Sequence, residues 1–125
     1  MGNLAKYAED AVGNVGLTVL LGPISIPAGQ FVELSKLTVT QRTTGANALF
    51  KLELSNDGFA ANVVPIARTE LAGVGKDEID LKGQVEIGAQ SATRSIRVRY
   101  QQSALGAVSA LLLGSTSGAD ITDVP

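Results

Sequence analysis

The sequence predicts an all-β, antiparallel two-sheet β-sandwich, jelly-roll-like, with about seven to eight strands and a short N-terminal arm or helix. Three observations lead there. First, side chains alternate in character from Asp77 to Gln102. Ile79, Leu81, Val85 and Ile87 are apolar on odd positions, and after Gly88–Ser91 the apolar Ile96, Val98 and Tyr100 fall on even ones. Strand side chains alternate faces, so these are two strands that each bury one face and wet the other. If they pair as a hairpin, apolar odd positions must lie opposite apolar even ones, which the even-length connection Gly88–Ser91 permits. Second, turn-forming clusters recur roughly every ten residues. Third, no helical periodicity extends past residue 14. An immunoglobulin-type arrangement is the main rival, without its Cys and Trp landmarks here, and a closed barrel comes third.

Residues 1–14 read as an N-terminal arm. Leu4, Tyr7, Ala8, Ala11 and Val12 recur at spacings of three and four, giving one apolar stripe on a short helix closed by Gly13. So short a helix is marginal alone. The segment is therefore either a frayed terminus or an arm ordered against a neighbouring subunit, whose removal should leave the sandwich folded. Residues 15–114 form the sandwich. Val15–Leu21 is its first strand, ended by Gly22-Pro23, and Pro27-Ala28-Gly29 make a turn. Between Phe31 and Gln41 the apolar positions change parity, from Val32 and Leu34 to Leu37 and Val39. Either a bulge sits near Ser35-Lys36 or the strand crosses between sheets there. Gly45-Ala46-Asn47 makes the next turn. Ala48–Ser55 alternates with Phe50, Leu52 and Leu54 inward, and Asn56-Asp57-Gly58 is the strongest hairpin-type turn. Pro65 lacks the donor a central strand needs, so Asn62–Arg68 belongs at an edge or carries a bulge. Thr69–Lys76 reads as a loop. Ala107–Leu113 is apolar on both parities, as in a strand buried on both faces or a buried helical turn; its length and flanking glycines favour strand. Residues 115–125 are a small, polar, acidic tail, mobile or laid across a partner.

Composition narrows the chemistry. With no His and no Cys, the chain has no Cys-based metal site and neither usual nucleophilic triad. No catalytic, cofactor or metal residue is assigned, and a non-enzymatic protein is expected. Asp77, Glu78 and Asp80 are close enough in sequence to suggest calcium, but 78 and 80 share a strand face from which 77 points away. Gly73-Val74-Gly75-Lys76 lacks the leading Gly, the hydroxyl residue after Lys and the helix of a phosphate loop. A net charge of −2 attracts neither nucleic acid nor acidic membranes. Aromatic side chains are scarce and Trp is absent, which counts against a sugar-stacking platform. Only 18% of residues are charged, so part of the surface is expected to meet another chain. Arg97 and Arg99 share an outward strand face about 7 Å apart. They are expected to pair with Glu86 or Asp80 on a neighbouring strand, or with another subunit.

Three segments resemble small accessory structural proteins of tailed-bacteriophage virions, the capsid-decorating, cementing or fibre modules. These are the turn-opening Gly22–Gln30, the Thr-rich Lys36–Gly45 and the apolar Ala107–Gly114. The resemblance implies a β-sandwich located in the virion, assembling as a trimer or larger homo-oligomer on a viral shell or tail protein. It brings no active-site residues and no cofactor. The partner-binding residues expected from the sequence are Leu4, Tyr7, Ala8, Ala11 and Val12 of the arm, with Arg97 and Arg99 at the rim. A shell-forming coat protein, to whose hairpins Leu37–Asn56 is similar, is one alternative. A carbohydrate- or protein-binding module of a larger bacterial assembly is another.

Overall fold

The computed structural model describes residues 2–42, 46–81, 86–87 and 94–122. In chain order the strands are β1 (Gly2–Asp10), β2 (Thr18–Ile26), β3 (Val32–Gln41), β4 (Asn47–Ser55), β5 (Val64–Ala72), β6 (Gly75–Asp80), β7 (Glu86–Ile87), β8 (Arg94–Gln102), β9 (Val108–Thr116) and β10 (Ile121–Thr122). The long strands pair from the outside of the chain inward: β1 with β9, β2 with β8, β3 with β6, and β4 with β5, each antiparallel. Rolled up, that nested hairpin gives two sheets, β1-β9-β3-β6 and β2-β8-β4-β5, with β7 added beside β3 and β10 beside β1. This is jelly-roll winding, and the all-β sandwich expected from the sequence is the fold found.

The core lies between the sheets. Leu4, Leu37, Val39 and Leu112 from one meet Ile24, Phe50, Leu52, Ile96 and Val98 from the other, all at most 4% exposed. Phe50 and Tyr100 are direct cross-strand partners whose rings stack with centroids 6.3 Å apart. Such neighbours are the unit of sheet stabilisation. The parity change in β3 is a bulge, since its register to β9 shifts between Leu34 and Lys36. β5 is an edge strand with a register shift beside Pro65, as the missing donor requires.

Several expectations are corrected. The stretch from Asp77 to Gln102 does not form a hairpin: β6 and β7 pair with β3, while β8 lies in the other sheet between β2 and β4. Its alternation is real, but alternation fixes the buried face and not the partner. The proposed connection Gly88–Ser91 lies outside the described residues, as do Val85, Gly45 and residues 123–125. The arm is neither helical nor separate. Gly2–Asp10 is a strand between β9 and β10, with Leu4 1% exposed. β2 runs through Gly22-Pro23 instead of ending there, with two register shifts. Gly22 has φ +97°, and a Cβ there would come within 2.7 Å of Ile96 O, so glycine permits the irregular passage. Thr69–Ala72 continue β5 and Gly75 opens β6, leaving only Gly73-Val74 between them. The beginning of the supposed tail is ordered: β9 extends to Thr116, and Leu4 and Ala5 pair with Ile121 and Thr122.

Candidate interaction surfaces

The outer face of the β2-β8-β4-β5 sheet is built on one carboxylate. Register places Glu53 opposite Arg97, and Lys51 between Arg99 and Arg68. Arg97 Nε donates to Glu53 Oε1 at 2.9 Å; Arg99 donates through Nε to Oε1 at 2.6 Å and through a terminal nitrogen to Oε2 at 2.7 Å. The Glu53 side chain is only 4% exposed beneath them. Burial pushes its carboxyl up, but the hydrogen bonds and charges of Arg99 and Arg97 outweigh this and hold its pKa below the ordinary value. The arginines do pair across strands, but with Glu53 on β4; the expected partners Asp80 and Glu86 lie on β6 and β7, in the other sheet. Alternation correctly sets Glu53 outward but could not reveal that two guanidinium groups would bury it.

The loop after β4 completes this arrangement. Phe59 has φ +67°, a conformation that costs a non-glycine residue about 1 kcal/mol or more. Ser55 Oγ accepts from the Phe59 amide at 3.0 Å, and Asp57 accepts from the amides of Ala61 and Asn62. The Ser55 hydroxyl, which donates to Asp57 at 2.6 Å, leads the interactions that hold that carboxyl below its usual value. So held, the Phe59 ring lies 3.9 Å from Arg97 Cζ, a cation–π contact. Beside this cluster runs an open groove of about 600 Å³ lined by Lys51, Glu53, Val63, Pro65, Ile66, Ala67 and Arg68. Lys51 has no ion-pair partner among the described residues, and Arg68 meets Glu70 in an exposed pair at 2.7 Å. Outward strand positions here carry Lys51, Arg68, Arg97 and Arg99 against Glu53 and Glu70, an excess of two cations.

The opposite face has the reverse sign. Along β1, β3 and β6 the outward positions carry Glu9, Glu33, Glu78 and Asp80 against Lys36 and Lys76, an excess of two acids. Glu78 lies 3.5 Å from both lysines, whose charges, Lys36 first, hold its carboxyl low. Down the middle run Ala5, Tyr7, Leu111 and Leu113, with Tyr7 46% exposed. Asp77, Glu78 and Asp80 do not converge on a point. Asp77 turns inward and accepts from Thr69 Oγ1, and no metal-binding cluster of acids occurs among the described residues.

A third surface is the end of the sandwich where the β1–β2, β3–β4, β5–β6 and β8–β9 connections meet. Two buried amides tie it together. Gln41 Nε2 donates to Ala46 O at 2.7 Å and to Gly73 O at 2.8 Å, Gln102 Nε2 donates to Gln41 Oε1 at 2.9 Å, and Gln102 Oε1 accepts from Asn14 N at 3.1 Å. Gly13, at φ +91°, passes where a Cβ would strike Gln102 Oε1. Around this polar centre Val12, Val15, Leu17, Val74 and Leu105 are 38–67% exposed.

The sequence-derived partner residues are thus divided. Leu4 and Ala8 face the core, Tyr7 faces outward on the acidic sheet, Ala11 and Val12 lie in the exposed connection after β1, and Arg97 and Arg99 occupy the other sheet. A helical stripe would have united the first five; a strand separates them. Sequence reading missed Glu53 as the ionic centre, both glutamines, and Val15, Val74 and Leu105. Their only sequence signal is residue type, because long-range pairing brings them together.

Fold and surfaces together define a jelly-roll sandwich with oppositely charged sheet faces and an apolar loop end. No family model matches the chain, and no curated protein matches it. Among solved structures it is similar to a chain in "Structure of infectious bursal disease virus Gx strain", at 13% identity and a TM-score of 0.41, over 91% of this chain. It spans 33% of the length of that chain.

Proposed function

We propose that this is a non-enzymatic structural protein of a virion, one that assembles with itself and attaches to a phage capsid or tail surface in a decorating, cementing or fibre role. The carrying observation is the apolar loop end. A chain with a buried apolar core nevertheless leaves five aliphatic side chains exposed on the connections at one end, and exposed apolar surface is a mark of protein–protein contact. The buried glutamine relay supports the same reading, because it bonds to Asn14, Ala46 and Gly73 of three connections and lowers the ordering cost of docking. The resemblance of Gly22–Gln30, Lys36–Gly45 and Ala107–Gly114 to phage accessory proteins supplies the virion setting. Light scattering on the purified chain tests the assembly. In high salt the expected result is a trimer or larger species that Val15→Asp with Leu105→Asp converts to a folded monomer. A wild-type monomer at every concentration contradicts the reading, as does an assembly indifferent to both substitutions.

A further inference from the structure

The two outer sheet faces differ in a way that the loop end does not explain. One carries an excess of two cations and the other an excess of two acids, on a chain of net charge −2. The acidic face has an apolar centre, Leu111, Leu113 and Tyr7, and the basic face has the apolar wall of the 600 Å³ groove along its β5 edge. Apolar surface bordered by charge is common in protein interfaces, and opposite signs select which faces meet. Like faces repel, so a two-fold contact of either face with itself is disfavoured.

We infer that the basic face of one copy docks on the acidic face of the next, a second interface through which the chain associates head to tail. This rests on the self-assembly proposed above and names a surface for it. Lys51 supplies a cation at the groove with no ion-pair partner among the described residues, and Arg68 exchanges its exposed pair with Glu70 at little cost. Arg97 and Arg99 remain on Glu53 and form a rigid floor. A head-to-tail contact leaves one face of each kind free at the ends, so it propagates unless geometry closes it into a ring.

That asymmetry sets the test. A basic-face variant, Lys51→Glu with Arg68→Glu, and an acidic-face variant, Glu33→Lys with Glu78→Lys, are each checked for wild-type circular dichroism and followed by sedimentation velocity. Wild type is expected to grow with concentration in low salt and shrink in 1 M salt, where the Debye length is about 3 Å. Each variant alone should lose this salt-dependent growth, having one face reversed. Mixed one to one, the intact acidic face of the first meets the intact basic face of the second, so salt-dependent association that neither variant shows alone reappears in the mixture. Wild-type assembly that is equal in low and high salt and survives both charge reversals overturns the inference and leaves the loop-end assembly standing. So does a mixture that behaves as the sum of its components. A wild-type monomer in every buffer overturns both.

Discussion

Glu53 shows how one residue can organise a surface. It lies in a strand whose neighbours read as a plain alternation, and its register sets it opposite Arg97 and diagonal to Arg99 on β8. Removing the carboxylate leaves two guanidinium groups, whose side chains are 14% and 24% exposed, facing each other without their shared counter-charge. Breaking a fully buried pair costs roughly 3–5 kcal/mol, and residual water access reduces that, so Glu53→Gln should lose about 2 kcal/mol at neutral pH. The pH dependence follows from the depressed pKa. Stability from such a group is fully present above its unfolded value, near 4.5, and is lost as the pH falls from there through the folded value. Thermal melts of wild type and Glu53→Gln should therefore differ by a constant amount above that range and converge below it. A difference that persists unchanged down to about pH 3 would show that the carboxylate's charge is not what stabilises the pair.

At the scale of elements, what the sequence reveals depends on whether a signal is local. The half-buried character of β4 and β8, the break of parity in β3 and the edge-or-bulge character of the Pro65 strand were all legible, because each follows from alternation or from proline's missing donor. The identity of pairing partners was not. The jelly-roll winding joins β1 to β9 and β3 to β6 across long separations, and side-chain parity is equally satisfied by any partner of suitable phase. β1 was misread for a definite reason: Leu4 and Ala8 are four apart, a spacing that returns to the same face in both a helix and a strand. Only Tyr7 distinguishes the two, and it lies exposed on the opposite face. β1 is anchored at both ends, by Leu4 in the core and by Asp10, which accepts from the Tyr100 hydroxyl of the other sheet. Burial and then that bond push the Tyr100 phenol up, while the bond and the Gly13 and Val12 amides hold Asp10 low. Deleting residues 1–10 should therefore strip β9 of a full-length partner and open the core, abolishing cooperative unfolding in urea followed by circular dichroism. A truncated chain with the wild-type midpoint would mean that β1 is dispensable.

For the whole molecule, winding determines which surfaces can act together. It sends four connections to one end, and the buried pair Gln41 and Gln102 ties three of them together through Asn14, Ala46 and Gly73. Nothing in the local sequence marks either glutamine, because each lies on the core-facing parity of an otherwise apolar row and finds its partners, Ala46, Gly73, Asn14 and the other glutamine, on other strands and connections. Gln102→Ala removes both the donor to Gln41 Oε1 and the acceptor for the Asn14 amide. A buried polar group left without its partner costs about 1–3 kcal/mol, and here the loss is shared with the connection that carries Val12 and Val15. Global unfolding should shift modestly, whereas hydrogen exchange at Asn14 should accelerate well beyond that shift, because the loop opens without the sandwich unfolding. Self-association through the loop end should weaken in parallel, since the exposed aliphatic residues are kept but no longer held in one arrangement. If Asn14 exchanges at the wild-type rate while assembly weakens, the glutamines do not organise that surface, and the apolar side chains act there without a fixed scaffold.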